Sequence, residues 1–90
     1  MTAAVLAWAL TQLEHGSRVV LASVVTSSGS VPGKSGARLA MRSGDEHWVG
    51  TVGGAGLEMM LLKDCKPMLE HHARPAGKVL TYGLNKGEKG

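Results

Sequence analysis

The chain has 90 residues, of which 43% are apolar, and a formal net charge of +3 at pH 7. A chain of this length forms one domain and hides only about 60% of its unfolded surface, so we expect a homo-oligomer. Lysines and arginines are spread along the chain and aromatic residues are scarce, which argues against a nucleic-acid-binding protein.

Cysteine content and hydropathy bear on the cellular location of the protein. Cys65 is the single cysteine, which excludes an intrachain disulfide and a multi-cysteine metal site and makes a cytoplasmic location the default expectation. The first residues do not resemble a signal peptide, and no apolar stretch approaches the ~18 residues of a membrane span. We therefore expect no membrane association.

The first predicted element is a helix from Thr2 to His15, which ends at Gly16 because glycine commonly follows a helix C-terminus. Apolar residues at helical spacing form one stripe, which predicts that this stripe is buried. The stripe consists of Leu6, Leu10 and Leu13, with Ala3 and Ala9 beside it.

Three strands and a hairpin turn follow from residue type and alternation. The run from Arg18 to Thr26 is apolar on both faces, so we expect it in the centre of a sheet. Segments Ala37 to Arg42 and His47 to Val52 flank the turn residues 43–46 and predict a hairpin. A last short strand is expected at Lys78 to Tyr82 after a right-handed parallel crossover.

A second helix is predicted from Leu57 onward, where Leu and Met recur at three- and four-residue spacing. Pro67 predicts a kink or a fresh helical turn, because proline cannot continue a helix undisturbed. The fold class is therefore α/β (α+β), with a small mixed sheet of about four strands, an N-terminal helix and a second helix after a glycine-rich junction. We assign residues 1–82 to one domain and 83–90 to a flexible polar tail.

Two glycine-rich segments, Ser27 to Gly36 and Gly50 to Glu58, flank the hairpin and hold seven of the 13 glycines. The first is long for a connection, and its hydroxyls, N–H groups and Lys34 suit an oxyanion, although Walker-type spacing is absent. The second joins a strand to a helix, where backbone approaches a ligand and free N–H groups bind an anion. A surface loop and a tight turn are the plainer interpretations. We expect the segments to meet at one end of the sheet.

The ordered motifs resemble the N-terminal domain of the XdhC/CoxI family over about Leu13 to Tyr82. The motifs are Val24 to Ser30 with Pro32, then Gly36 to Arg38, then Gly50 to Gly54, and finally Leu57 and Glu58. Members are accessory proteins of molybdenum hydroxylases such as xanthine dehydrogenase and carbon monoxide dehydrogenase. The resemblance implies a non-enzymatic role in which the protein holds the molybdenum cofactor (molybdopterin), protects it while its sulfur ligand is installed, and passes it to the apo-enzyme.

Carried over residue by residue, the resemblance assigns cofactor binding to both segments and implies no catalytic residue. In the first segment these are Ser28, Gly29, Ser30, Pro32 and Gly36, with Lys34 as the nearby cation. In the second they are Gly53, Gly54 and Glu58, and we add Gly56 to the predicted cofactor-binding residues. The implied partners are a molybdenum hydroxylase apo-enzyme and a separate chain carrying a Rossmann-like domain.

Three departures from the family pattern keep other functions open. Ala55 and Gly56 stand where relatives commonly have glycine and cysteine, and Gly33 stands where they have arginine. Relatives also continue into a Rossmann-like second domain, so we expect a stand-alone version or a fragment of the design. The alternatives are a protein-protein adaptor that has lost cofactor binding and a phosphate- or nucleotide-binding module.

Single residues with reactive groups have plain interpretations. Cys65 lies on the expected buried stripe and is interpreted as a small core residue rather than a nucleophile or ligand. Glu58 is either a hydrogen-bond acceptor or general base at a ligand, or a carboxylate that caps its helix. Arg38 and Arg42 share one strand face, where a solvated pair is the plain interpretation. The histidines lack the spacing of a zinc site, so we predict no metal site.

Overall fold

The computed structural model describes residues 2–25 and 36–82. Three strands form a sheet in the order β1-β2-β3, and both neighbouring pairs are antiparallel. The elements in chain order are helix α1 (Thr2–Glu14), strands β1 (Val19–Ser23), β2 (Arg38–Arg42) and β3 (Trp48–Gly50), helix α2 (Ala55–Cys65) and a 3₁₀ helix (Lys66–Leu69). This arrangement confirms the predicted fold class, including the helix after the glycine junction.

The sheet differs from the expectation in two details. Within the described residues the sheet has three strands and is wholly antiparallel, and the segment 78–82 joins no strand, so the expected parallel crossover is not formed. The prediction that the first strand lies in the centre is wrong, because β1 lies at an edge among the strands of residues 2–25 and 36–82. Helices on both faces of the sheet make even an edge strand apolar on both sides, and this apolarity mimics a central position.

The core has two parts, one on each face of the sheet. Leu39 and Met41 of β2 are fully buried on the face covered by α2, where they pack with Leu61, Leu62 and Cys65. On the opposite face α1 packs against Ala40, which is also fully buried. Strand β2 therefore lies between two helical layers, as side chains alternate along it.

Helix α1 forms as predicted, but a different face of it is buried. Val5, Ala9 and Gln12 face the sheet, whereas the leucine stripe is exposed. The prediction for the stripe is therefore wrong. Ala9 packs with the small Ala40, and two small residues let the helix lie close to the sheet. At the end of α1, Gly16 has φ +90°, which confirms its predicted role as a helix stop.

The predicted hairpin is confirmed by the pairing of β2 with β3, and its turn is fastened by a bidentate ion pair. The Nε and Nη2 atoms of Arg42 donate to the two carboxylate oxygens of Asp45 at 2.9 and 2.7 Å. The backbone N–H of His47 also donates to Asp45 at 3.1 Å. These hydrogen bonds, those from Arg42 foremost, hold the pKa of Asp45 well below its usual value.

We expect Asp45→Asn to flatten the acid limb of the stability profile. A carboxyl group whose pKa is lowered by folding contributes stability above its unfolded pKa near 4 and loses it as the pH falls through the folded value. The effect is small, because the pair is exposed and screened by salt. Urea midpoints at low salt should converge for the two proteins on acidification. Midpoints that stay parallel from neutral pH to acid would contradict a role for this carboxylate.

Helix α2 ends at Cys65, and Pro67 lies in the first turn of the 3₁₀ helix that follows. This confirms the predicted fresh turn, since proline is tolerated where its missing N–H has no helical partner. In the described part of the chain, neither helix has the length and apolar character needed to cross a bilayer.

Candidate functional site

The bases of the two glycine-rich segments lie at the same end of the sheet. The first segment is closed by hydrogen bonds between Val24 N–H and Ala37 C=O and between Gly36 N–H and Val24 C=O, each 2.9 Å. At the end of β3, Thr51 N–H donates to the carbonyl of Arg38 at 3.1 Å. Since Arg38 is the first residue of β2, it adjoins both segments.

Part of the predicted site lies outside the described residues. These are Ser28, Gly29, Ser30, Pro32 and Lys34 of the first segment, and the tail 83–90 lies outside them as well. The structure describes the other predicted residues, namely Gly36, Gly53, Gly54, Gly56 and Glu58. Gly36 lies at the foot of the first segment, and the remaining four belong to the junction between β3 and α2.

Two glycines around the junction are required by the backbone. Gly50 has φ +89°, and an added Cβ would overlap the carbonyl oxygen of Arg38 and lie 2.9 Å from Cγ2 of Val5. Gly53 has φ +141°, which also favours glycine. By contrast, a Cβ at Gly56 would meet no atom within 4 Å. Gly50 is thus a packing requirement that the sequence prediction did not single out, whereas Gly56 faces open space.

Glu58 fastens the junction from within α2. Its Oε2 atom accepts hydrogen bonds from the Thr51 hydroxyl and from the backbone N–H of Val52, the latter at 3.1 Å. The Thr51 hydroxyl oxygen in turn accepts from the N–H of Gly53 at 3.2 Å. Val52 is buried, so the carboxylate satisfies a donor that water cannot reach. Glu58 therefore has a structural role, but it fastens the residues that precede α2 and does not cap the helix, and a ligand contact remains a prediction.

The start of α2 presents free main-chain donors. The first helical hydrogen bond runs from Glu58 N–H to Gly54 C=O at 2.9 Å. Within the described residues, the N–H groups of Ala55, Gly56 and Leu57 therefore have no acceptor. These donors and the helix dipole favour an anionic group here.

A cavity of about 750 Å³ opens beside the bases of both segments. At this end it is lined by Val24 and Val25, which lead into the first segment, and by Val52 and Leu57 of the junction. It continues along β1, and residues 74–82 line it as well. The lining is largely aliphatic, which suits the flat organic part of a ligand rather than a hydrated ion.

Arg38, the first residue of β2, is a cation that adjoins both segments. Its Nε atom is buried and has no hydrogen-bond partner in the described part of the chain. The side chain lines a second cavity of about 510 Å³ on the α1 face, together with Trp8, Gly50 and Thr51. Arg38 is therefore half-buried rather than fully solvated. In the sequence, the indication that Arg38 lies near the glycine-rich segments is its position directly after Gly36 and Ala37.

Within the described residues, Cys65 and the histidines do not cluster into a set of metal ligands. Cys65 is buried in the core, which confirms its interpretation as a core residue, and burial raises the pKa of its thiol. A protonated thiol is a poor nucleophile and metal ligand. Among residues 2–25 and 36–82, no group of three or more His, Cys, Asp and Glu residues could hold a metal ion.

Tyr82 ties residues 74–82 to α2. Its hydroxyl donates to the Asp64 carboxylate at 2.6 Å. Desolvation, this hydrogen bond and the negative charge of Asp64 raise the pKa of Tyr82 to about 12. The contact holds the outer wall of the larger cavity against the helix that carries the free amides.

Comparison with protein families gives a match over most of the chain. The model of the XdhC and CoxI family matches residues 12–83, which include both glycine-rich segments and the junction between β3 and α2. Comparison with curated proteins and with solved structures gives no significant match.

Proposed function

Because the chain belongs to the XdhC and CoxI family, we propose that it binds the molybdenum cofactor for maturation of a molybdenum hydroxylase such as xanthine or carbon monoxide dehydrogenase. The observation that carries the proposal is the position of both glycine-rich segments at one end of the sheet, beside an open cavity and the free amides of α2. The proposed role is binding and delivery, with the hydroxylase apo-enzyme as recipient. A separate chain with a Rossmann-like domain is the second proposed partner.

The chemistry of the cofactor fits the groups present. Its phosphate is an anion, which the amides of Ala55, Gly56 and Leu57 would hold at the helix start. Its flat pterin suits an aliphatic cavity of about 750 Å³, within the usual range for organic ligands. When bound, the cofactor supplies the molybdenum and the dithiolene sulfurs. The residues of this chain would bind the cofactor, orient it and shield it from water.

The position of Gly56 separates this chain from the family pattern that has cysteine there. Its place at the start of α2 is open, so a cysteine side chain fits without a clash. The cofactor therefore lacks a thiolate contact from this position. Cys65, the single cysteine of the chain, cannot supply this thiolate because it is buried in the core. Main-chain donors would thus carry the binding in this protein.

Co-purification of the pterin tests the proposal directly. The protein is co-expressed with the cofactor synthesis enzymes, and pterin fluorescence is measured on its oxidised extract. We expect pterin with the wild type and about tenfold less with Gly54→Val, since a bulky side chain beside the amides removes about 1.4 kcal/mol of binding. Met59→Val is the control, because Met59 is 63% exposed on α2 and lines neither cavity. Background pterin with the wild type and Gly54→Val alike overturns the proposal.

The same proteins distinguish the two other functions. Thermal-shift titrations with nucleotides, inorganic phosphate and pterin phosphates report binding as a melting temperature that rises with ligand concentration. A shift with nucleotides and none with pterins indicates a nucleotide-binding module. No shift with any of these ligands, together with a stable complex with a hydroxylase subunit, indicates an adaptor. Gly56→Cys adds a gain-of-function arm, because the missing thiol is restored in an open position.

A further inference from the structure

Two arginines of β2 lie on the face of the sheet that α1 covers, and they differ in what they contact. Arg38 and Arg42 flank Ala40 at the alternating positions of the strand, so all three point to this face. Arg42 donates to the Asp45 carboxylate and to Oε1 of Gln12, the latter at 2.9 Å. The side chain of Arg38 forms no ion pair and no hydrogen bond with the residues that the structure describes.

The smaller of the two cavities, at about 510 Å³, is lined by Arg38 and otherwise mostly by apolar groups. Helix α1 contributes Ala4, Val5 and Trp8, and β3 contributes Val49. Its size is within the usual range for a small organic ligand. No described residue lines both this cavity and the larger one. We call it the Arg38 cavity and treat it as a separate site.

The elements around the Arg38 cavity carry no carboxylate that could balance the guanidinium charge. Helix α1 has one acidic residue, Glu14, which lies about 15 Å along the helix axis from Ala4 at the cavity. The two acidic residues of the hairpin turn are already paired with other cations. Segment 26–35, which precedes β2, contains neither Asp nor Glu in its sequence. Because a half-buried charge without a partner is unfavourable, an anion from outside the chain would be stabilised here.

Trp8 gives the Arg38 cavity a flat apolar wall. The ring of Trp8 is held from the hairpin side, where the guanidinium carbon of Arg42 and the ring of His47 each lie 5.9 Å from its centroid. Val5 and Val49 complete the wall with aliphatic surface. An indole ring and two valines bind the apolar body of a ligand, whereas the guanidinium binds its anionic end.

We propose that the Arg38 cavity binds a small organic monocarboxylate with an apolar body. The carboxylate accepts hydrogen bonds from the guanidinium of Arg38, whose planar fork matches its two oxygens, and the body packs against Trp8. One guanidinium balances one negative charge. A phosphate dianion in such an apolar cavity would need further cations or free amides. The inference does not depend on cofactor binding, because the two cavities are lined by different residues.

Nuclear magnetic resonance of the labelled 9.4 kDa protein, titrated with phenylacetate, tests the proposal. We expect the Nε–H signal of Arg38 and the indole N–H signal of Trp8 to shift saturably, with a dissociation constant in the millimolar range or below, as a ligand of about ten heavy atoms permits. Trp48, the other tryptophan, lines neither cavity, so its indole signal is an internal control. Phenylacetamide has the same shape without the charge and should bind at least tenfold more weakly.

Two variants separate the charge of the Arg38 cavity from its space. Arg38→Met removes the guanidinium and should weaken phenylacetate binding at least tenfold. Its matched control is Lys63→Met, which removes an exposed cation that lines neither cavity. Ala4→Leu fills the cavity from an exposed position of α1 and should have a similar effect. Ala3→Leu is its control, because Ala3 is exposed on the same helix and lines neither cavity.

Three results would overturn the proposal. The first is the absence of a saturable shift of the Arg38 signal at about 10 mM phenylacetate. The second is equal affinity for phenylacetate and phenylacetamide, since the cation would then contribute nothing. The third is a shift with inorganic phosphate and none with phenylacetate, which would give the guanidinium a phosphate ligand instead. If Arg38→Met loses its folded circular dichroism spectrum, Ala4→Leu decides, because leucine is a good helix former at an exposed helical position.

Discussion

Gly50→Ala is expected to destabilise the domain by about 3 kcal/mol or more, which is the largest effect anticipated for a single methyl group in this chain. Gly50 has φ +89°, a conformation that costs alanine about 1–3 kcal/mol. The added Cβ would also overlap the Arg38 carbonyl, and Leu39 Cα would lie only 3.1 Å away. Because the added Cβ would meet backbone atoms of Arg38 and Leu39, which cannot shift as a side chain can, the clash is relieved only if β3 moves away from β2.

Urea denaturation followed by circular dichroism measures this effect. Gly56→Ala is the matched control, because its Cβ meets no atom within 4 Å and the residue lies in the first turn of α2. Alanine is the better helix former, so the control should be neutral or more stable by up to about 1 kcal/mol. Equal midpoints for the two variants would show that β3 does not approach β2 as closely as the structure has it.

Features that depend on a few neighbouring residues could be predicted from the sequence. Gly16 ends α1 and Pro67 starts a new turn because each acts through its own backbone restriction. The hairpin between β2 and β3 follows from alternation around a turn of Gly and Asp. Because the hairpin returns the chain to its starting end, the convergence of the two glycine-rich segments was also predictable.

Features that depend on distant contacts could not be predicted in this way. Periodicity shows that Leu6 and Leu10 share a stripe, but the neighbouring stripe of Val5 and Ala9 has the same period. The choice between them depends on the close approach to Ala40, which lies elsewhere in the sequence. The position of β1 at an edge likewise depends on which strand pairs with it, and apolar composition carries no information on that.

The residues of the candidate site likewise divide into those set by neighbouring residues and those set by distant contacts. The glycines and the start of α2 are marked by local signals, and so is the position of Glu58 near a helix N-terminus. The burial of the Arg38 Nε atom is different, because it arises from α1 packing over the start of β2. An alternating strand pattern places Arg38 on the side of Ala40 but does not show whether a helix or water covers it.

Glu58→Ala is the second variant with a large expected effect, a loss of about 2 kcal/mol. Removal of the carboxylate leaves the N–H of buried Val52 without an acceptor, which costs about 1–3 kcal/mol. It also releases the Thr51 hydroxyl, whose oxygen accepts a hydrogen bond from the N–H of Gly53. The junction should therefore loosen before the rest of the domain, with faster amide exchange at Val52 and Gly53. Hydrogen exchange and urea denaturation together measure both consequences.

Two controls separate this structural role from loss of charge and from ligand contact. Glu14→Ala removes the same charge from the exposed end of α1 and should leave stability nearly unchanged, since an acidic residue at a helix C-terminus is not favoured. Glu58→Gln keeps an oxygen that accepts from Val52 and Thr51, so it should recover most of the lost stability. If the Gln variant is stable but co-purifies with much less pterin, the negative charge of Glu58 contributes to ligand binding. Equal stability of the Ala variant and the wild type would contradict the fastening role, because the buried N–H would then have found another acceptor.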